Sequence, residues 1–204
     1  MSLYLSSLEN VTITNNQIYN NTTYTAGYGI YATSIYNASA GQRFTVSGNK
    51  IWNLYGGYGI YLATVYSASN TLINPITNNF VNVATAGANT AYGMYVSLGG
   101  QLQILNNTFN VNTASFGSAT GYGCYLASLQ AVANNTVIMN NIFANSSTLA
   151  STTSMGFQST TSAGPYVNVT TGFDRNCFWH AGTAGSVYLM GWNGAGPYTS
   201  ASAI

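Results

Sequence analysis

Short runs in which hydrophobic and polar residues alternate recur along the chain, and a pair of small polar residues follows most of them. The first run, 11–14, reads Val-Thr-Ile-Thr, and Asn15 and Asn16 separate it from a second run at 17–20. Alternation with a period of two predicts β-strands. Asparagine and glycine adopt the left-handed backbone of tight turns at low cost, so each pair predicts a turn between two strands. Further copies of this arrangement begin at Phe44, Ile76, Leu102, Val137 and Phe173.

A second motif, Gly-x-Tyr, is interleaved with the first. It occurs at Gly29, Gly59, Gly93 and Gly123, and it is degraded near Gly156 and Ser186, at spacings of 30 to 34 residues. Repetition at this period is typical of solenoids. Each repeat is predicted to hold three short strands, each pairing with its counterpart one repeat on. The predicted fold is therefore all-β, a parallel β-helix of about six coils that forms a single domain over residues 1–204.

Strand parity predicts which side chains face the core. In the Gly-x-Tyr strand, Tyr28, Ile30 and Ala32 are expected to point inwards, with Gly29 and Tyr31 outwards. The later repeats are expected to place Tyr58, Tyr92 and Tyr122 in the core in the same way. In the strand after the turn, the predicted inward residues are Ile18, Ile51, Phe80, Phe109, Ile142 and Phe178, and the predicted outward residues include Val81 and Phe143. Equivalent asparagines are expected to stack at one corner through their amides; they are Asn16, Asn49, Asn78, Asn107, Asn140 and Asn176.

The outward tyrosines are the candidate binding surface. They form a predicted ladder, interrupted by Gln158, beside a trough left by the outward glycines; its members are Tyr31, Tyr61, Tyr95, Tyr125 and Tyr188. Sugar rings stack on aromatic faces, so the ladder is a candidate contact for a polysaccharide or a cell-surface glycan. Two alternatives stay open. Aromatic neighbours stabilise a sheet by about 0.2 to 1 kcal/mol per pair without any ligand, and loops or another domain can cover the stripe.

Composition excludes several functional classes. Charged residues make up 2% of the chain and the net charge is +1, so there is no cluster of Lys and Arg for nucleic acid. No apolar run reaches the roughly 18 to 20 residues of a membrane-spanning helix. Cys124 and Cys177 are too few for a disulfide framework.

No signal peptide is evident. Met1 to Leu3 resembles a start added for expression, which favours a piece of a longer protein. The abundance of Asn, Thr and Tyr favours an extracellular or cell-surface location.

The apolar strand, the asparagine turn, the Asn-x-[Ile/Phe] element and the Gly-Ile-Tyr strand together resemble the right-handed parallel β-helix repeats of the pectate-lyase-like superfamily. The resemblance covers roughly residues 8 to 195. The segment 173–179, with Trp192 and Tyr198, also resembles the closing segments of β-helix domains in large secreted bacterial surface proteins. The resemblance implies a right-handed coil, which carries lyases, hydrolases, phage spikes and adhesive stalks alike.

The enzymes of that superfamily use clustered carboxylates, calcium or strong bases. Glu9 and Asp174 are the only carboxylate side chains of this chain, and about five coils separate them. The basic side chains Arg43, Lys50 and Arg175 are scattered as well. One local cluster contains Asp174, Arg175, Cys177 and His180, where parity points Cys177 outwards and places His180 at a strand end. We therefore predict no catalytic residue, no metal site and no cofactor.

The expected function is that of a non-catalytic extracellular module, a structural stalk or an adhesion domain joined to flanking domains. Two alternatives remain: part of a polysaccharide lyase or glycoside hydrolase whose acids lie outside this sequence, and a phage-type receptor-binding spike. Open coil ends expose unpaired strands, so we expect further coils, caps or end-to-end association there.

Overall fold

The fold was analysed in a computed structural model that describes residues 3–19, 27–39, 41–55, 57–68, 72–84, 90–112, 120–130, 136–146, 153–160, 172–181, 186–192 and 195–198. Every regular element in these ranges is a β-strand. In chain order the strands are β1 (Leu3–Ser6), β2 (Thr12–Thr14), β3 (Gln17–Tyr19), β4 (Gly27–Thr33), β5 (Ile35–Asn37), β6 (Thr45–Ser47), β7 (Lys50–Tyr55), β8 (Gly57–Leu62), β9 (Val65–Ser67), β10 (Asn74–Thr77), β11 (Phe80–Ala84), β12 (Ala91–Val96), β13 (Leu102–Leu105), β14 (Thr108–Asn112), β15 (Thr120–Leu126), β16 (Val137–Met139), β17 (Ile142–Asn145), β18 (Thr153–Ser159), β19 (Phe173–Asp174), β20 (Cys177–His180), β21 (Ser186–Trp192) and β22 (Ala195–Tyr198).

The strands form parallel sheets in which each strand pairs with its equivalent one repeat away. Sheet A contains the Gly-x-Tyr strands in the order β1-β4-β8-β12-β15-β18-β21-β22. Sheet B, before the asparagine turn, has the order β19-β16-β13-β10-β6-β2, and sheet C, after it, has the order β20-β17-β14-β11-β7-β3. The predicted all-β parallel solenoid is thereby confirmed.

The solenoid has about four full turns rather than the six predicted. Sheets B and C each contain six strands, but only the four inner strands of each have neighbours on both sides, and the end strands β2, β3 and β19 are two or three residues long. A fourth short sheet, D, pairs β5 with β9 and continues through the bridges Val65↔Gly99 and Gly99↔Leu129. Three strands per repeat is therefore an underestimate for the turns that include this corner.

The core consists of inward columns in register along the axis. Sheet B contributes Ile13, Val46, Ile76, Ile104 and Ile138, and sheet A contributes Ile30, Ile60, Met94, Cys124 and Phe157, all buried. Each fully buried side chain of this size stabilises the fold by about 1.5 to 3 kcal/mol of transfer free energy. Repetition of one apolar position per strand thus builds the interior turn by turn.

Two predictions for sheet C are wrong. Val81 and Phe143 are fully buried, whereas Phe80 is 44% and Ile142 43% exposed. The register explains this result, because Val81 pairs with Ile51 and Phe109, and Phe109 pairs with Phe143. The inward column therefore reads Ile18, Ile51, Val81, Phe109, Phe143 and Phe178. Matching these two repeats to the others with an error of one residue had assigned Phe80 and Ile142 to the wrong face of the sheet.

Sheet A ends differently from the other two sheets within the described residues. Its last strand, β22, is antiparallel to β21, whereas β19 and β20 each have one neighbour. An antiparallel strand does not continue the direction of the parallel stack, and Pro197 within it has no N–H to donate. None of the described residues forms a helix that is both long and apolar enough to cross a membrane.

Candidate functional site

The turn between sheets B and C is built from two adjacent columns of residues. The first column has a left-handed backbone, with φ between 53° and 66°, and consists of Asn15, Gly48, Asn78, Asn106, Asn140 and Arg175. Asparagine and glycine tolerate this conformation better than other residues. Their recurrence at this position therefore explains how the chain turns from sheet B to sheet C in every repeat.

The second column is a hydrogen-bonded stack whose four inner members are buried. We call it the asparagine ladder: Asn16, Asn49, Asn79, Asn107, Asn141 and Asn176. The amide nitrogen Nδ2 of every member except Asn176 donates to the Oδ1 atom of the next asparagine, as from Asn79 to Asn107 at 2.9 Å. The same Oδ1 atoms accept from the backbone N–H of the preceding asparagine. Each of the four inner Nδ2 atoms also donates to a carbonyl of the preceding turn. The buried amides are thus satisfied, which removes the cost of desolvating them.

The prediction for this corner needs one correction. Asn16, Asn49, Asn107 and Asn176 lie in the ladder, but Asn78 and Asn140 do not. These two residues occupy the left-handed column, and their neighbours Asn79 and Asn141 make the ladder bonds. The cause is the same one-residue slip that misplaced Phe80 and Ile142, because in an Asn-Asn pair the sequence does not distinguish the turning residue from the bonding one.

A second polar corner lies beside sheet D, and the sequence analysis missed it. Asn37 Nδ2 donates to Asn74 Oδ1 at 2.8 Å, and Asn74 Nδ2 donates to Ser67 Oγ and to the Gly100 carbonyl. Asn37, Ser67 and Asn74 are all buried. These residues do not share one motif in the sequence, since they come from different parts of successive repeats.

The outer face of sheet A carries nine tyrosines in two adjoining columns, which we call the tyrosine surface. The first column is Tyr4, Tyr31, Tyr61, Tyr95 and Tyr125, and the second is Tyr28, Tyr58, Tyr92 and Tyr122. Tyr4 is 51% exposed and the other eight are partly exposed. Four of the five predicted ladder residues therefore lie on this face, together with five tyrosines that the prediction did not place there.

The prediction that Tyr28, Tyr58, Tyr92 and Tyr122 are core residues is wrong. Strict alternation fails because two consecutive residues, such as Gly29 and Ile30, are both buried before Tyr31 returns to the surface. A signal for this outcome was present in the sequence, since a buried tyrosine needs a partner for its hydroxyl. Four core tyrosines would have needed four such partners.

The expected trough of outward glycines is also wrong, because these glycines face inwards. A Cβ atom added to Gly93 would lie 2.5 Å from the Gly123 carbonyl oxygen and 3.0 Å from Phe109 Cβ. No side chain fits between one turn and the next at this position. Glycine is therefore required for close approach of the backbones. Because this inward position holds no side chain, the tyrosine before the glycine and the tyrosine two residues after it can both face outwards, as Tyr28 and Tyr31 do.

The tyrosine rings pack against one another rather than standing apart. In the second column the rings are nearly parallel, with centroids 5.1 Å apart for Tyr28 and Tyr58, 4.9 Å for Tyr58 and Tyr92, and 5.2 Å for Tyr92 and Tyr122. Edge-to-face contacts join the columns, as between Tyr92 and Tyr95 at 4.9 Å. Along the second column, the facing sides of neighbouring rings thus cover each other, which restricts stacking of a ligand on these faces.

The packing changes the acidity of the phenols. Burial, and next the neighbouring tyrosines, raise the pKa of Tyr28, Tyr58 and Tyr122 above the ordinary value. The same causes raise the pKa of Tyr92 and Tyr95, with an opposing hydrogen bond from Ser97 at Tyr95. These five phenols therefore ionise only above the pH at which a free tyrosine does, about 10, and are neutral at physiological pH.

The predicted ladder residue Tyr188 belongs to a different register. Its backbone pairs with Met155, which pairs with Tyr122, whereas Gln158 pairs with Tyr125 on one side and Gly191 on the other. Position 188 thus continues the column of Tyr122 and not that of Tyr125. The motif spacing matches Tyr188 with Gln158, but in the structure Gln158 pairs with Gly191, three residues later.

The cluster near the last turn does not assemble a catalytic pair in the described residues. Arg175 Nε donates to Asp174 Oδ2 at 3.0 Å, both side chains being exposed, and this bond holds the pKa of Asp174 below its usual range. Cys177 and His180 stand at opposite ends of β20, about 10 Å apart at the rise of an extended strand. Among the described residues, no three His, Cys, Asp or Glu side chains come together as a metal site would need.

No protein-family model matches this chain, and comparison with curated proteins and with solved structures also finds no match.

Proposed function

We propose that this chain is a non-catalytic extracellular module that acts as a rigid stalk or adhesion domain, attached to flanking domains of a longer protein. The observation that carries the proposal is the asparagine ladder, whose six members are joined without interruption from Asn16 to Asn176. Continuous hydrogen bonding along the axis couples each turn to the next. This property suits an elongated spacer, and the resemblance to the pectate-lyase-like superfamily includes such stalks.

The placement of the acids supports a non-catalytic role. Glu9 accepts a hydrogen bond from Gln42 before the first strand of sheet B, and Asp174 lies in the last strand of that sheet. Five strand spacings separate these positions, which amounts to about 24 Å. Glycoside hydrolysis by two carboxylates needs them within roughly 10 Å. An enzyme would need acids outside this sequence, which is the alternative that we retain.

The tyrosine surface supports a second role, contact with a polysaccharide or a cell-surface glycan. It is neutral, partly exposed and extends along the axis over at least five strands of sheet A. A long uncharged chain of sugars aligned with the axis would meet hydroxyls and ring edges at the spacing of the strands. The stacking within the second column leaves a purely stabilising role as the competing explanation, and a phage-type spike remains a further alternative.

A glycan array tests the adhesive role. We would compare the native chain with the double variant Tyr61→Ala, Tyr95→Ala. The matched control is Tyr36→Ala, Tyr66→Ala, because these two rings are in contact, 5.0 Å apart and tilted, at another corner of the solenoid. Binding that is lost in the first variant and kept in the second supports recognition by the tyrosine surface. If the native chain binds none of the glycans on the array, recognition of those glycans is excluded and the role of a structural stalk is retained.

Incubation with the same polysaccharides tests the non-catalytic role. We expect neither new reducing ends nor new unsaturated sugar ends. Cleavage of any of these polymers by the purified chain would contradict the proposal.

A further inference from the structure

The edge of the tyrosine surface brings together two phenol rings from adjacent strands. Tyr4 in β1 pairs in register with Tyr31 in β4. Their rings are stacked, with centroids 5.1 Å apart and an angle of 8° between the planes. The two phenols are therefore direct neighbours across one strand spacing.

Tyr4 is also the tyrosine of this surface that solvent reaches most easily. It is 51% exposed, whereas its eight companions are partly buried. β1 is the edge strand of sheet A in the described residues. An oxidant therefore meets Tyr4 first, and Tyr31 lies directly behind it.

We propose that the tyrosine surface is a site of oxidative cross-linking between adjacent turns, and that Tyr4 and Tyr31 form the first dityrosine. The oxidant is hydrogen peroxide acting through a haem peroxidase. One electron and one proton leave each phenol, and the peroxide is reduced to two molecules of water. The two phenoxyl radicals join through one ortho carbon of each ring. The hydrogen displaced from each of these carbons returns to the phenol oxygen, so the protein loses two hydrogen atoms in total.

The geometry favours coupling within one molecule over coupling between molecules. Two reactants held side by side behave as if they were present at a very high effective concentration. The stacks behind the first pair provide further partners, because the rings of Tyr28, Tyr58 and Tyr92 also lie about 5 Å apart along the axis. The cross-link would form whether or not the surface binds a glycan.

Tyr19 supplies a matched comparison within the same chain. It is 58% exposed, which is more than Tyr4. Its ring stacks on Trp52 at 5.2 Å rather than on a second phenol. If exposure alone determined the reaction, Tyr19 would react at least as fast as Tyr4 and would yield dimers.

The experiment treats the full chain with a haem peroxidase and hydrogen peroxide, and follows the blue fluorescence of dityrosine. We expect a fluorescent monomer that has lost two hydrogen atoms. Trypsin would leave both residues in one peptide, since its first site is Arg43, so pepsin is used to cut at Leu5 and Leu8 between them. Tyr4→Phe and Tyr31→Phe should each abolish this cross-linked peptide, and Tyr19→Phe should retain it.

A physical readout accompanies the mapping. Oxidation should raise the thermal unfolding midpoint of the native chain and of Tyr19→Phe, because a covalent link between β1 and β4 restricts the unfolded chain. It should raise that of Tyr4→Phe less, because this variant cannot form the link between β1 and β4 and keeps only the stacked pairs further along the axis. Dityrosine found only in dimers, or a monomeric cross-link that maps first to another pair, would overturn the assignment.

Discussion

The asparagine ladder and the tyrosine surface each repeat one residue type along the same axis, yet they are held in place by different forces. Each inner ladder asparagine is fixed by bonds to the next asparagine and to the previous turn, and these four residues, Asn49, Asn79, Asn107 and Asn141, are almost completely buried. The tyrosines are partly exposed and touch mainly one another. A buried amide without a partner costs more free energy than a stacked ring contributes. The ladder should therefore determine stability, while the tyrosine surface is free to serve another purpose.

The largest effect is expected from removing one ladder residue. Asn79→Ala leaves the Asn49 backbone N–H and the Val46 carbonyl without their partners in a buried site. At about 1 to 3 kcal/mol for each unsatisfied group, we expect a loss of about 3 kcal/mol in the free energy of unfolding. Urea unfolding followed by circular dichroism measures it.

Asn78→Gly is the matched control for that variant. The side chain of Asn78 is not part of the ladder, and its backbone has φ of 56°, a conformation that glycine adopts freely. We expect a change below about 0.5 kcal/mol. Equal losses in the two variants would contradict the placement of Asn79, rather than Asn78, in the ladder.

The next effect concerns the glycines that join the two regions. Gly93→Ala would press a methyl group against the Gly123 carbonyl and Phe109. Overpacking of this kind costs about 1 to 3 kcal/mol, and neither obstacle is the free end of a flexible chain. Gly41→Ala is the control for the loss of a glycine without a steric clash: no atom lies within 4 Å of its added Cβ, so its only cost is the backbone strain of an alanine at a φ of 89°. A thermal melt should show a larger drop for Gly93→Ala than for the control, and the reverse order would refute the close-approach explanation.

The sequence predicted the repetitive part of this structure well, because each turn contributes the same short strands and the same turn residues. It predicted individual faces less well, for two physical reasons. In the pairs 78–79 and 140–141, both residues are asparagine, so the turning and the bonding positions look alike, and a slip there also moved Phe80 and Ile142 to the wrong side. In the Gly-x-Tyr strand, Gly29 has no side chain and can face the core, so parity counted across it failed for Tyr28.

The outward position of four members of the tyrosine surface was predictable, because an inward apolar residue directly follows each of them. These tyrosines are Tyr31, Tyr61, Tyr95 and Tyr125, and the apolar residues are Ala32, Leu62, Val96 and Leu126. Tyr4 was not, since the strand that carries it lacks the glycine and lies before the first recognisable repeat. The polar corner of Asn37 and Asn74 was also not predictable. Its members lie 37 residues apart, and only the stacking of turns brings them into contact.

The smallest effect at neutral pH, and the clearest sign of the tyrosine surface, is expected in alkaline solution. Unfolded tyrosines ionise with a pKa of about 10, whereas the pKa of Tyr28, Tyr58 and Tyr92 is raised in the folded chain. Above about pH 10 the unfolded chain therefore binds fewer protons than the folded chain, and the free energy of unfolding falls as pH rises. Below that pH both states hold these protons, so the three residues do not make stability depend on pH.

The triple variant Tyr28→Phe, Tyr58→Phe, Tyr92→Phe tests this explanation. It keeps the stacked rings and should change stability little at neutral pH, but it should reduce the loss of stability in alkaline solution that urea unfolding measures. The triple variant Tyr19→Phe, Tyr36→Phe, Tyr66→Phe removes the same number of phenols elsewhere. If both triple variants lose stability with the same slope above about pH 10, the shared packing of the tyrosine surface is not what holds its protons.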